Sequence, residues 1–249
     1  TATIEPSVYD LYLRARGGWN DPVKLATNIA TLETVTRLAP TFEDAWGALA
    51  HVRHRASTFL PYAERSPLLA RAKAALAQCI ELDAASHDAA STQYWMCDPF
   101  GVYLAQEEAV QTVFTRWPNA AESLGLLAFH LETVGRSREA VDIAFAARDL
   151  DPKSEFAQFE SGFSLWRAGR FAEGRAAMES VLLSWPDNQH TTILLILDYA
   201  HKREWAAVDA LMAPARLEKF PLREFADSLA IVAVMRNPTL ENRQALLGN

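Results

Sequence analysis

Apolar residues recur along this chain at intervals of three and four, in stretches that close on a glycine or a proline. From Ala121, residues Leu124, Leu127, Ala128 and Leu131 fall on one helical face. Gly135 interrupts, and Ala140, Ala144 and Ala147 resume the spacing before Asp151-Pro152. A second passage starts at Glu155, with Gly162, Leu165, Gly169, Gly174 and Met178, and closes on Trp185-Pro186. Pro152 and Pro186 are 34 residues apart; Pro118 lies 34 before the first and Pro221 lies 35 after the second. A fixed period holding two helices is the signature of a stacked array, in which each unit buries its apolar face on the next.

Read in order, the pattern predicts helices over Val8–Arg16, from Asp21-Pro22 to Leu38, over Thr41–Thr58, and onward from Ser66-Pro67. Helix pairs follow: Ser86–Cys97 with Tyr103–Arg116, Ala121–Val134 with Ser137–Leu150, Ser154–Arg167 with Phe171–Ser184, and Asn188–Lys202 with Glu204–Lys219. Asp98-Pro99-Phe100-Gly101 reads as a turn, and Ser137 with Glu139 reads as a helix cap. Leu222–Val234 and a short helix after Asn237-Pro238 complete an all-α chain. The expected organisation is one solenoid over 1–249, with repeats near 8–40, 41–83, 86–118, 119–152, 153–186 and 187–221 and a cap over 222–249.

These positions resemble the tetratricopeptide repeat (TPR), most closely over 87–186. Small residues at Ala128/Gly162 and Ala140/Gly174 let two helices touch, and Gly135/Gly169 make the tight turn. The second unit departs by about ten extra residues around Phe59–Pro67, and the first and sixth units are degenerate. The resemblance implies a right-handed α-α superhelix of about six hairpins plus a terminal helix, and a role in binding protein or peptide. Val8–Arg16 and the Leu38–Ala50 segment also resemble the start of TPR regions behind bacterial winged-helix transcriptional regulators of the CadC type and behind some adenylate cyclases. That likeness implies a regulatory C-terminal module in signal transduction. A free-standing scaffold for complex assembly is the alternative, and what precedes Thr1 separates the two.

In such an array the first helix of each pair lines the inner wall. The register puts Asp44, His51, Asp88, Trp95, Glu122, Phe129, Phe156, Phe159, Phe163 and Trp166 there, acidic at the N-terminal rims and aromatic toward the C-terminal half. Such a wall suits a segment with apolar anchors and some positive charge. Two readings stand side by side: an open groove, or an aromatic ladder covered as ordinary core.

Charge and chemistry narrow the field. With 24 Lys+Arg against 31 Asp+Glu the net charge is −7, and no basic stripe is present to neutralise phosphates, which argues against nucleic-acid binding by this segment. No apolar run is long enough to span a membrane. The chain opens without methionine, as a piece of something longer or a processed product would. The sequence leaves its compartment open: the cytoplasm, or the periplasm if a membrane segment precedes residue 1. Cys79 and Cys97 lack metal-type spacing and read as two buried free thiols. His51 and His54, at i and i+3, have no third ligand nearby in sequence, so no metal or cofactor is expected. An enzyme would need clustered wall acids with raised pKa, drawn from Asp44, Asp88, Asp98, Glu122 and Glu132; the expectation is a non-enzyme. An apolar end on an open stack also leaves room for a homodimer.

Overall fold

The computed structural model of the 249-residue chain describes residues 4–16, 23–97, 103–218 and 223–248, which divide into two compact units, 1–119 and 120–249. The expected helix start at Asp21-Pro22 and the turn at 98–101 lie outside the described residues.

Unit 1 holds α1 (Pro6–Arg16), α2 (Leu25–Leu38), α3 (Glu43–Thr58), a 3₁₀ turn at Tyr62–Glu64, α4 (Arg65–Leu82), α5 (His87–Trp95) and α6 (Tyr103–Arg116). Its core gathers Tyr12, Leu32, Val35, Leu49, Val52, Ala75 and Cys79 from α1 to α4, with Phe42 from the N-cap of α3. The extra residues before Pro67 form the 3₁₀ turn, which leads directly into α4. Both cysteines are free; Cys79 is buried, whereas Cys97 is only half-buried.

Unit 2 holds α7 (Ala121–Thr133), α8 (Ser137–Leu150), α9 (Glu155–Arg167), α10 (Phe171–Ser184), α11 (Gln189–His201), α12 (Trp205–Leu211), the single turn α13 (Pro214–Leu217), α14 (Arg223–Arg236) and α15 (Leu240–Gly248). Its first helices start at 121, 155, 189 and 223, every 34 residues. The terminal segment is therefore another hairpin in the same register, with α14 packed on α11 and α15 packed on α14. The helix expected over Glu204–Lys219 is interrupted at Ala213-Pro214, because proline cannot donate to the preceding turn and instead starts α13.

The repeat is visible down to single hydrogen bonds. After α7, α9 and α11 the chain turns through residues with positive φ, Gly135 (83°), Gly169 (82°) and Arg203 (60°). In each turn the next N–H bonds five residues back, from Arg136 to Leu131, Arg170 to Leu165 and Glu204 to Tyr199, at 2.7 to 2.9 Å. This is the Schellman closure, which satisfies helix-end carbonyls. Each following helix then begins without a side-chain cap. Arg136 instead grips Glu139 through two bonds of 2.8 and 2.7 Å, and Arg170 grips Glu173 the same way at 2.9 and 2.6 Å. Ser137 thus lies inside the helix and does not cap it. Close packing of α9 on α10 depends on glycine: a Cβ at Gly174 would lie 2.7 Å from Trp166 N and 2.9 Å from Gly162 O.

Candidate functional site

In unit 1 the first helices α1, α3 and α5 bring the expected wall residues to a polar cluster. A Cβ on Gly47 would approach Asp88 Cβ to 2.7 Å, so α5 lies close on α3. Arg16 at the end of α1 reaches across 72 residues of sequence to Asp88, donating at 2.9 and 3.3 Å, and it also donates to the Tyr12 hydroxyl. Asp88 is buried. Burial works against its charge, but a hydrogen bond from His87 and the Arg16 guanidinium hold its carboxyl below the usual range. Asp44 is half-buried and pushed up, first by burial and then by Asp88.

His51 is buried and lowered to about 3 by burial and by His54, itself lowered to about 4 by burial and Arg55; both imidazoles are neutral at pH 7. Trp95 is half-buried, edge-on to Tyr94 at 5.2 Å. Arg16 and Tyr12, which organise this cluster, were not among the sequence candidates. No local pattern announces a pairing over 72 residues.

In unit 2 the wall residues behave differently. Phe129, Phe156, Phe159, Phe163 and Trp166 are all half-buried, and Glu122 is exposed. Phe156 lies over Gly125 of the neighbouring helix, where a Cβ would meet its ring at 2.9 Å. One turn on, Phe159 stacks on Phe163 with centroids 5.6 Å apart and planes 14° from parallel, and it meets His190 of α11 at 5.9 Å. The Arg167 guanidinium sits 5.4 Å from the Phe163 ring centre. Trp166 is held as packing. It stands edge-on to Phe171 at 5.7 Å and donates from Nε1 to Asp198 at 3.4 Å.

Beneath this wall lies a polar ladder in the same register. Ser164 Oγ donates to Glu132 Oε1, as Trp166 donates to Asp198 one repeat later, each across 32 residues. Asp198 also accepts from Arg175 at 2.5 Å and from Lys202 at 3.4 Å. Among the described residues no cation makes such a contact with the carboxyl oxygens of Glu132. Its carboxyl neighbours that of Glu160, and both are enclosed, 2% and 0% exposed. Burial pushes both up, Glu132 to about 7, and the negative charge of Glu132 raises Glu160 further. Of the acids that an enzyme would have to gather, Asp44 feels the charge of Asp88, Glu132 adjoins Glu160, Glu122 stands exposed, and Asp98 lies outside the described residues.

No family model matches this chain, and no curated protein does. Solved structures do match. The crystal structure of the Cut9–Hcn1 hetero-tetramer of the APC/C superposes with a TM-score of 0.58 at 14% identity, over 96% of this chain. The chain spans about half of that one, 46% of its length. The likeness is one of fold, and with the in-register hairpins it places the chain in the all-α, TPR-like class of helical repeats. Among the described residues no helix is long and apolar enough to cross a membrane.

Proposed function

We propose that this chain is a non-enzymatic protein-binding module that holds a partner segment along the first helices of unit 2. The observation that carries the reading is the half-buried stack of Phe159 on Phe163, presented by a helix that also carries Phe156 and whose neighbours add Phe129 and Leu197 in register with Phe163. Rigid aromatic side chains with surface left uncovered are what anchor protein partners. Exposed Glu122 and Glu155, near the starts of α7 and α9, favour positive charge beside the partner's apolar anchors. In unit 1, taken by itself, Asp44 and Trp95 are half-buried candidates for partner contact, while His51 and Asp88 are buried. One solved structure similar to this chain is the APC/C hetero-tetramer Cut9–Hcn1; association with another polypeptide is the mode proposed here.

The test is capture from the source lysate by the wild type and by a Phe159→Ala/Phe163→Ala variant, with equal folding checked by circular dichroism. Trp166 is left intact because its bond to Asp198 supports the fold. A partner retained at least tenfold better by the wild type supports the surface, since losing one such anchor costs about 2 kcal/mol or more. Equal capture by both rejects it.

The finer proposal is that this module is the regulatory C-terminal part of a bacterial winged-helix transcriptional regulator. The resemblance of Val8–Arg16 and Leu38–Ala50 supports it. The gene sequence upstream of Thr1 decides: a winged-helix domain there fits, and a start codon or an unrelated domain does not.

A further inference from the structure

Glu132 and Glu160 sit on the two helices that carry the aromatic wall. Glu160 adjoins Phe159, and Glu132 lies three residues after Phe129. Ser164 serves one oxygen of Glu132, but no N–H or hydroxyl serves Glu132 Oε2 or either oxygen of Glu160, and the two carboxyls are left to hydrogen-bond each other through a shared proton. Arg167 is the cation that acts on both carboxyls, yet its Nη2 bonds the Glu132 backbone carbonyl at 3.0 Å and its guanidinium lies over Phe163.

Other charged or titratable groups stand on the helices around α9, and none of them is among the causes of either carboxyl's shift. His130 is buried on α7, and Arg138, Glu139 and Asp142 of α8 are exposed. Glu173 of α10 pairs with Arg170, Arg175 of α10 pairs with Asp198 and Glu204, and His190 of α11 rests on Phe159. One shared cation therefore faces two enclosed carboxyls, at a depth where a bare carboxylate is strongly unfavourable. Protons are the counter-ions that fit.

We propose that the Glu132–Glu160 pair is a proton-operated clamp on the aromatic wall: protonated it seals α7 to α9, and on losing its protons to solvent it forces the two helices apart. As regulation of partner binding this rests on the reading of the wall given above. The clamp itself is tested without a partner. The direction of both pKa shifts, set first by burial, agrees with it.

Hydrogen exchange of the full chain, corrected for intrinsic rates, is compared at pH 5.5 and 8.0 for the wild type and Glu160→Gln. In the wild type, protection of α7 and α9 should fall about tenfold or more between the two pH values, since each unit of displaced pKa is a factor of ten. In the variant, where burial still raises Glu132 alone, the fall should be several-fold smaller than in the wild type. Equal pH responses overturn the clamp. If the variant does not fold, carboxyl carbon NMR of the wild type decides: two glutamates titrating above pH 6 support the clamp, and both titrating in the ordinary glutamate range overturn it. Either result stands apart from the capture experiment, which tests the wall and not the pair.

Discussion

Ala120 and Ser154 occupy the same backbone position one repeat apart, but only Ser154 caps its helix. Both are extended N-cap residues, with φ/ψ of −92°/128° and −71°/113°. Ser154 Oγ accepts from Ala157 N at 3.2 Å, and Asn188, one repeat later, accepts from Thr191 N at 2.7 Å. At Ala120 nothing can accept. Ala120→Ser supplies the missing acceptor on a backbone already in place, so it should stabilise unit 2 by about 1 kcal/mol. A urea titration should show a higher midpoint with an unchanged slope, and a midpoint that stays put or falls would count against the shared register.

Arg203 stands where the two preceding repeats place glycine, with φ of 60° against 83° and 82°. A side chain in the left-handed region costs roughly 1–2 kcal/mol. Glycine returns part of that gain, about 0.5–1 kcal/mol, to the freer unfolded chain. Arg203→Gly should therefore raise stability by a net ~0.5–1 kcal/mol, whereas Gly169→Ala should lower it by about 1 kcal/mol or more. Thermal midpoints moving in opposite directions for the two variants are the expected result.

How far the sequence foretold this structure follows from which residues punctuate it. The bounds of α6, α8 and α10 coincide with those read from the pattern, because turn residues or a proline mark their ends. Arg203 carries no such mark, and its turn is set by the register that Gly135 and Gly169 establish upstream. Pro214 is visible in the sequence, and its inability to donate to the preceding turn is what separates α12 from α13. The wall's aromatic members were legible as a face of α9; their half-burial depends on neighbouring helices that the spacing alone does not locate. Glu160 was detectable in principle, as a charge at a position held by Leu126 one repeat earlier and Leu194 one later. Its pairing with Glu132, like that of Arg16 with Asp88, arises only when distant helices meet.

Two glycines should respond differently to the same added methyl group. At Gly174 the methyl would press on backbone, Trp166 N at 2.7 Å and Gly162 O at 2.9 Å, and neither atom can turn aside. At Gly125 it would press on the Phe156 ring at 2.9 Å, a side chain that can rotate. Gly174→Ala should thus cost about 2–3 kcal/mol, and Gly125→Ala about 1 kcal/mol or less. Chemical denaturation ranks the two, and equal losses would mean that α9 and α10 can slide apart more freely than their contact distances suggest.

The two units should answer pH in opposite directions. In unit 1, His51 and His54 are lowered from 6.5 to about 3 and about 4, chiefly by burial, so the folded state binds fewer protons than the unfolded chain. Their stabilising contribution is fully present above pH 6.5 and is lost as pH falls from there through the folded values. Asp88, held below its ordinary range, acts in the same sense at lower pH, while Asp44, raised, opposes it. In unit 2, Glu132 is raised from 4.5 to about 7 and Glu160 is raised well above its usual value. Here the folded state keeps protons that the unfolded chain gives up, so stability is highest below pH 4.5 and declines as pH rises through about 7. Intrinsic-rate-corrected exchange from pH 5 to 8 separates the units by peptide: protection of α3 should rise across the range while that of α9 falls. Parallel trends in the two would mean that net charge, and not these buried groups, governs the response. His51→Gln with His54→Gln should then flatten the α3 trend and leave that of α9 unchanged, since the groups responsible lie in different units.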